Sequence, residues 1–188
     1  MNIFICPGFH LPELTRCFLQ ELSLSADLTS TISENILTFS VKNYTPLSSL
    51  HILQNLLTTY GQPAKAAPIV FISFSAGVIG ALGAAWGWEL LGGKVKALIA
   101  IDGWGVPLGG NFPIHRLSHD YFTHTTSIVL SRPEDSFYAD PMVEHLDMWR
   151  SPSTVTGWMV SPSNPNVRSY LNEAEFILRL LKRYQEID

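Results

Sequence analysis

The chain has 188 residues, of which 46% are hydrophobic and 15% are charged, and its formal net charge is −4. A chain of this length and composition can bury a substantial core as one domain, which we predict to span residues 1–188. The net negative charge and the scattered Lys and Arg residues provide no basic surface for a phosphate backbone. We therefore expect no nucleic-acid partner.

The N-terminal stretch, MNIFICPG, has no basic segment, and its apolar run is too short for the core of a signal peptide. We therefore expect a cytoplasmic protein. Residues 66–88 contain no charged side chain and match the length of about 20 residues that spans a bilayer. Pro68, the β-branched run IVFIS and the break at SAG instead predict a buried strand followed by a buried helix, with no transmembrane segment.

Short apolar runs alternate with helical patterns along the chain. In chain order, the predicted strands are NIFIC, ILTFSV, PIVFIS, VKALIAI, SIVLS and TVTGWMV, and helices are predicted over 12–25, 47–60, 76–91, 141–149 and 171–184. Asn172 and Glu175 have capping-box spacing at the start of the last helix. Strands that are apolar on both faces and alternate with helices indicate an α/β fold, with a mostly parallel six-stranded sheet and helices on both faces.

One connection, residues 103–126, is too long for a simple loop. It reads GWGVPLGGNFPIHRLSHDYFTHTT, whereas loops longer than about 12–15 residues in a compact domain are usually functional or contain structure of their own. Ligands of open α/β sheets bind beyond the carboxyl ends of the strands, so this excursion is expected to lie over a site like a lid.

The stretch FISFSAGVIG joins a predicted strand to a predicted helix. Its core, Ser73-Phe74-Ser75-Ala76-Gly77, resembles the G-x-S-x-G nucleophile elbow of the α/β-hydrolase family, with Ser73 in place of the first glycine. Small residues two positions before and after the serine let the backbone turn sharply and lift the serine Oγ off the sheet. The alternative is that Ser75 only caps the helix.

The resemblance implies roles for residues around this turn. Ser75 would be the nucleophile, and the Ala76 N–H would be one donor to the oxyanion. The loop CPGFH after the first strand would supply the second donor from Phe9, and His10 would line the site.

The resemblance also implies an acid after the fifth predicted strand and a histidine after the sixth. Asp135 follows SIVLS and is the expected acid, with Asp102 at the end of VKALIAI as the alternative. The stretch after the sixth predicted strand, SPSNPNVRS, has no histidine. We expect His119, in the excursion, to be the base, and the other candidates are His115, His124 and His10. His145 is expected to be structural, beside the apolar stripe of a short helix.

Trp104 and neighbouring aromatic residues of the excursion are expected to form an apolar pocket, which suits an acyl or aryl ester. The sequence therefore predicts a serine hydrolase for a carboxylic ester or thioester, a small-molecule substrate, with no cofactor and no metal. The alternatives are a non-catalytic α/β-hydrolase-like protein that binds a small ligand or a protein, a metal site using His115 and His119, and a phosphate site at the glycine-rich helix. The oligomeric state stays open.

Overall fold

The computed structural model describes residues 1–25, 36–40, 45–131, 134–163 and 168–186. The strands in these ranges are β1 Asn2–Cys6, β2 Ile36–Thr38, β3 Ile69–Phe74, β4 Val95–Ile101, β5 Ile114–Ser118, β6 Ser136–Ala139, β7 Thr156–Val160 and β8 Arg168–Asn172. The α-helices are α1 Pro12–Ser25, α2 Ser49–Tyr60, α3 Gly77–Leu90, α4 Tyr121–Ile128, α5 Asp147–Arg150 and α6 Glu173–Glu186. Within the described residues, no helix is both long and apolar enough to cross a bilayer.

The eight strands form one mixed sheet in the order β2-β1-β3-β4-β5-β6-β7-β8. Strands β1 to β6 run parallel to one another, while β7 is antiparallel to both of its neighbours, β6 and β8. The mostly parallel α/β sheet is therefore confirmed, and the predicted strand count of six is wrong, because the described residues contain eight.

The sheet is covered on both faces, as the apolar strands require. Alternate residues of β3 enter two separate cores, so that Val70 and Ile72 pack with α1 and α6 while Ile69 and Phe71 pack with α2 and α3. Every residue of β3 and β4 is buried. Full burial on both sides explains why these strands are continuous apolar runs in the sequence.

The fifth strand is not the predicted one. SIVLS instead forms the end of α4 and the turn after it, and the fifth strand is Ile114–Ser118, inside the excursion. His115, Arg116 and Ser118 make this strand polar, yet all three are buried. Their burial is tolerable because each of the first two has hydrogen-bond partners, His115 with Tyr184 and Arg116 with Ser131.

The sixth strand, β6, has only four residues, SFYA, which is too short a run for the sequence pattern to reveal. TVTGWMV, predicted as the sixth strand, is the seventh and is antiparallel. The last helix begins as its sequence indicates, since Oδ1 of Asn172 accepts the N–H of Glu175 at 2.8 Å.

Candidate active site

Ser75 occupies a sharp turn between β3 and α3. Its φ is +53°, a left-handed conformation that few residues other than glycine adopt. Its N–H donates to the carbonyl oxygen of Ile101, at the end of the neighbouring strand β4, at 2.9 Å. Backbone strain of this kind persists only where the surroundings enforce it, and it is concentrated at functional sites.

Two glycines let three backbone segments meet at this turn. A Cβ added to Gly77 would lie 2.4 Å from the carbonyl oxygens of both Cys6 and Pro7, and one added to Gly8 would lie 2.9 Å from the Cβ of Ser75. The loop after β1 is therefore in direct contact with the serine turn. The N–H groups of Phe9 and Ala76 have no hydrogen-bond acceptor among the described residues.

Ser73, which replaces the first glycine of the elbow motif, is fully buried in β3. Its hydroxyl donates to the carbonyl oxygen of Ile99 at 3.2 Å. The replacement is accommodated because this hydroxyl has a partner on the adjacent strand.

Asp102 ends β4 in the same left-handed conformation, with a φ of +51°. Its buried carboxylate accepts hydrogen bonds from Nδ1 of His119 at 2.8 Å, from the N–H of His119 at 3.3 Å and from Nδ1 of His145. Burial alone would raise the pKa of Asp102, but the hydrogen bonds and charges of the two histidines outweigh it and lower that pKa. The carboxylate is thus ionised and joins two imidazoles.

His145 lies in the segment between β6 and α5. Its ring stacks on Phe74, the residue before Ser75, with the centroids 4.7 Å apart. Nδ1 donates to Asp102, whereas Nε2 has no hydrogen-bond partner among the described residues. Since the carboxylate fixes the proton on Nδ1, Nε2 carries the lone pair of the neutral ring.

His119 directly follows β5 and has a different environment. Its Nε2 lies 3.5 Å from Oγ1 of Thr123 and 3.6 Å from Oδ2 of Asp120. The hydrogen bond to Asp102 raises the pKa of His119, against the opposing effect of burial. Its second nitrogen therefore faces α4, where Asp120 caps the first turn.

These groups line one cavity of about 420 Å³ at the carboxyl ends of the parallel strands. The lining residues are Ser75, Ala76, Ile79, Asp102, Gly103, Trp104, Val106, His119 and His145. Trp104 is 66% exposed at the mouth. The cavity thus combines a serine, two histidines and a carboxylate with an apolar wall.

The structure brings together most of the predicted site residues. Ser75, Ala76, Asp102, Trp104 and His119 line the cavity. Phe9 belongs to the loop that contacts the serine turn, and in the same loop the ring of His10 packs on Phe74 with the centroids 5.7 Å apart.

Asp135, the catalytic acid expected from the sequence, does not line the cavity. It precedes β6 and so lies at the opposite end of the strands. Its carboxylate accepts a hydrogen bond from Arg183 at 2.6 Å. Its carbonyl oxygen accepts Nδ1–H of His115, whose Nε2 accepts the hydroxyl of Tyr184. Burial lowers the pKa of His115 to about 4, so this histidine is neutral and structural.

His115 and His124, two other predicted candidates for the base, do not belong to the candidate site, and His115 is not available as a metal ligand. Both ring nitrogens of His115 have partners, which leaves no lone pair for a metal shared with His119. His124 is buried against the ring of Tyr138 at a centroid distance of 5.0 Å, and burial lowers its pKa to about 4. Neither residue lines the cavity.

His145 is the residue that sequence reasoning missed, since it was expected to be structural. The available signal was its position six residues after the end of a short strand, SFYA. No family model matches the chain, and no curated protein matches it significantly.

Proposed function

We propose that the protein is a serine hydrolase of the α/β-hydrolase type, acting on a carboxylic ester or thioester. Ser75 is the nucleophile, His145 the general base and Asp102 the acid that orients the histidine. The observation that carries this assignment is the hydrogen bond from Nδ1 of His145 to the buried Asp102, in a cavity that His145 lines together with Ser75. It replaces the pair His119 and Asp135 expected from the sequence.

The order of these residues along the chain supports the proposal. The serine follows β3, the acid follows β4 and the histidine follows β6, giving the order Ser, Asp, His that the α/β-hydrolase family uses. The resemblance implied a histidine after the sixth strand, which was predicted to be TVTGWMV. With SFYA as the sixth strand of the structure, His145 follows the sixth strand. The non-catalytic alternative was motivated by the lack of such a histidine, so that motive no longer applies.

The proposed chemistry assigns one role to each of these groups. Oγ of Ser75 attacks the carbonyl carbon while Nε2 of His145 takes its proton, and the ionised Asp102 stabilises the resulting imidazolium. The N–H groups of Ala76 and Phe9 stabilise the negative oxygen of the tetrahedral intermediate. The imidazolium then protonates the leaving group, and water hydrolyses the acyl-enzyme by the same steps in reverse.

The cavity supports an apolar acyl or aryl group as the substrate. Ile79, Trp104 and Val106 line it together with the catalytic groups, and no Lys or Arg is among the lining residues. A phosphate group would lack a cationic partner there. An ester or thioester with a neutral acyl chain fits these surroundings best.

The proposal is tested by labelling with a fluorophosphonate, which phosphonylates activated serines. We expect the purified wild type to gain one adduct by intact mass and Ser75→Ala to gain none. Ser73→Ala is the matched control: its hydroxyl is buried in β3, two residues away, and its loss should leave labelling intact. Absence of labelling in the wild type, or equal labelling of Ser75→Ala, would contradict the proposal.

A further inference from the structure

The geometry points to a reversible Zn²⁺ site formed by Asp102, His119 and His145, at which the ion switches off the hydrolase. One ligand atom from each, an imidazole nitrogen of either histidine and a carboxylate oxygen, lie within 4.8 Å of one another. Nδ1 of each histidine is in hydrogen-bond contact with that carboxylate. Two imidazoles and a carboxylate are a ligand set of zinc sites that keep the fourth position open for water. The loss of activity rests on the proposed function, whereas the binding does not.

The surroundings of His119 give independent support for a metal. A histidine bound to zinc usually donates its other ring N–H to a carboxylate or another oxygen, which fixes the ring. Nε2 of His119 already faces Oδ2 of Asp120 at 3.6 Å and Oγ1 of Thr123 at 3.5 Å. The N–H of Thr123 in turn donates to Asp120 and holds that carboxylate in place.

The site is also accessible and close to the required size. The side chain of Asp102 is 1% exposed, but those of His119 and His145 are 24% and 41% exposed. Nδ1 of His119 and Oδ2 of Asp102 are 2.8 Å apart. Tetrahedral zinc, with bonds of about 2.0–2.1 Å, needs ligand atoms about 3.4 Å apart. His119 and Asp102 must therefore separate by about 0.6 Å, and the ligand atoms furthest apart, which lie within 4.8 Å of each other, must approach by up to about 1.4 Å.

Binding would inactivate the proposed triad through the tautomer of His145. Nδ1 now carries the proton that is donated to Asp102, which leaves the lone pair on Nε2 for the proton of Ser75. A metal ion on Nδ1 requires that nitrogen to be deprotonated, so the proton of the neutral ring moves to Nε2. His145 could then no longer accept the serine proton, and the serine would lose its activation.

Binding is tested without reference to activity, on the chelator-treated chain. We expect Co²⁺ to give the visible absorption bands of a tetrahedral site, and Zn²⁺ to abolish them by displacement. His119→Gln should weaken Zn²⁺ binding by more than about 100-fold, and Asp120→Asn, which can still cap α4, by about 10- to 100-fold. Ser75→Ala and His51→Gln, a histidine on α2, should bind as the wild type does.

Labelling by the fluorophosphonate separates failure of the inference from failure of the proposed function. Bound Zn²⁺ should slow labelling at least about tenfold, with recovery after addition of a chelator, and this result together with Co²⁺ bands supports the full inference. Co²⁺ bands in a chain that is never labelled support the metal site and overturn the hydrolase. Labelling that persists in saturating Zn²⁺ overturns the inhibition by the ion, and absence of bands that depend on His119 overturns the metal site itself. Either result leaves the hydrolase intact.

Discussion

Replacing His145 and His119 separately by glutamine distinguishes the base from its neighbour, because both imidazoles contact the same carboxylate. His145→Gln removes the nitrogen that is proposed to accept the proton of Ser75. General-base catalysis contributes about 10²- to 10⁴-fold, equivalent to about 3–5 kcal/mol of transition-state stabilisation. We expect kcat/KM to fall by at least about 100-fold in this variant.

His119→Gln removes a different interaction. The backbone N–H of His119 and Nδ1 of His145 still donate to Asp102, and the glutamine amide can replace part of the lost hydrogen bond. A charge-assisted hydrogen bond contributes about 1.5–3 kcal/mol, and only the part that changes in the transition state alters the rate. We expect kcat/KM to fall by about tenfold or less.

The assay is hydrolysis of a short-chain p-nitrophenyl ester, followed by absorbance in buffer with a chelator, with urea unfolding of each variant as the control for folding. The reasoning is refuted if His119→Gln loses more activity than His145→Gln, since His119 would then be the base. Equal and small losses would show that neither histidine activates the serine.

Three further changes test other parts of the structure. Glu173 is fully buried, and its carboxylate has no hydrogen-bond partner among the described residues. Burial raises its pKa well above the ordinary value, so Glu173→Gln should be more stable than the wild type to urea, by a margin that grows as the pH rises above the ordinary pKa of a glutamate. Gly8→Ala should slow fluorophosphonate labelling at least about tenfold because its Cβ would push on Ser75, whereas Gly109→Ala, with open space around it, should label normally. The pKa of His115 is about 4 in the folded chain, so the unfolded chain takes up this proton first as the pH falls. Between about pH 6.5 and about pH 4 the wild type should therefore lose about 3 kcal/mol more of its free energy of unfolding in urea than His115→Gln does. An equal loss in both proteins would contradict the buried neutral histidine.

The sequence predicted the parts of the fold that depend on local pattern. NIFIC, PIVFIS and VKALIAI were identified as strands because both of their faces are apolar. IHRLS was not, because its buried Arg116 donates to the carbonyl oxygens of Gly103 and Val106, contacts that no periodicity reveals. Because IHRLS and SFYA were missed and SIVLS was predicted in error, TVTGWMV is the seventh strand instead of the sixth.

The residues of the candidate site also divide into those that the local sequence reveals and those that it does not. Ser75 was found because its turn is encoded by its immediate neighbours, and Asp102 was kept as an alternative because it ends an obvious strand. His145 was missed because its role depends on a strand of four residues and on contacts with Phe74 and Asp102, 71 and 43 positions away in the sequence. Unless SFYA is assigned as a strand, nothing near position 145 distinguishes this histidine from a structural one.

The close approach of Gly8 and Gly77 to the serine turn has a consequence for protein engineering. The proposed oxyanion donors are main-chain amides, and their two segments approach so closely that a Cβ on Gly77 would meet backbone atoms of Cys6 and Pro7. Ile79, Trp104 and Val106 shape the cavity from other positions. A library randomised at these three positions can therefore explore substrate selectivity while the oxyanion geometry stays constant.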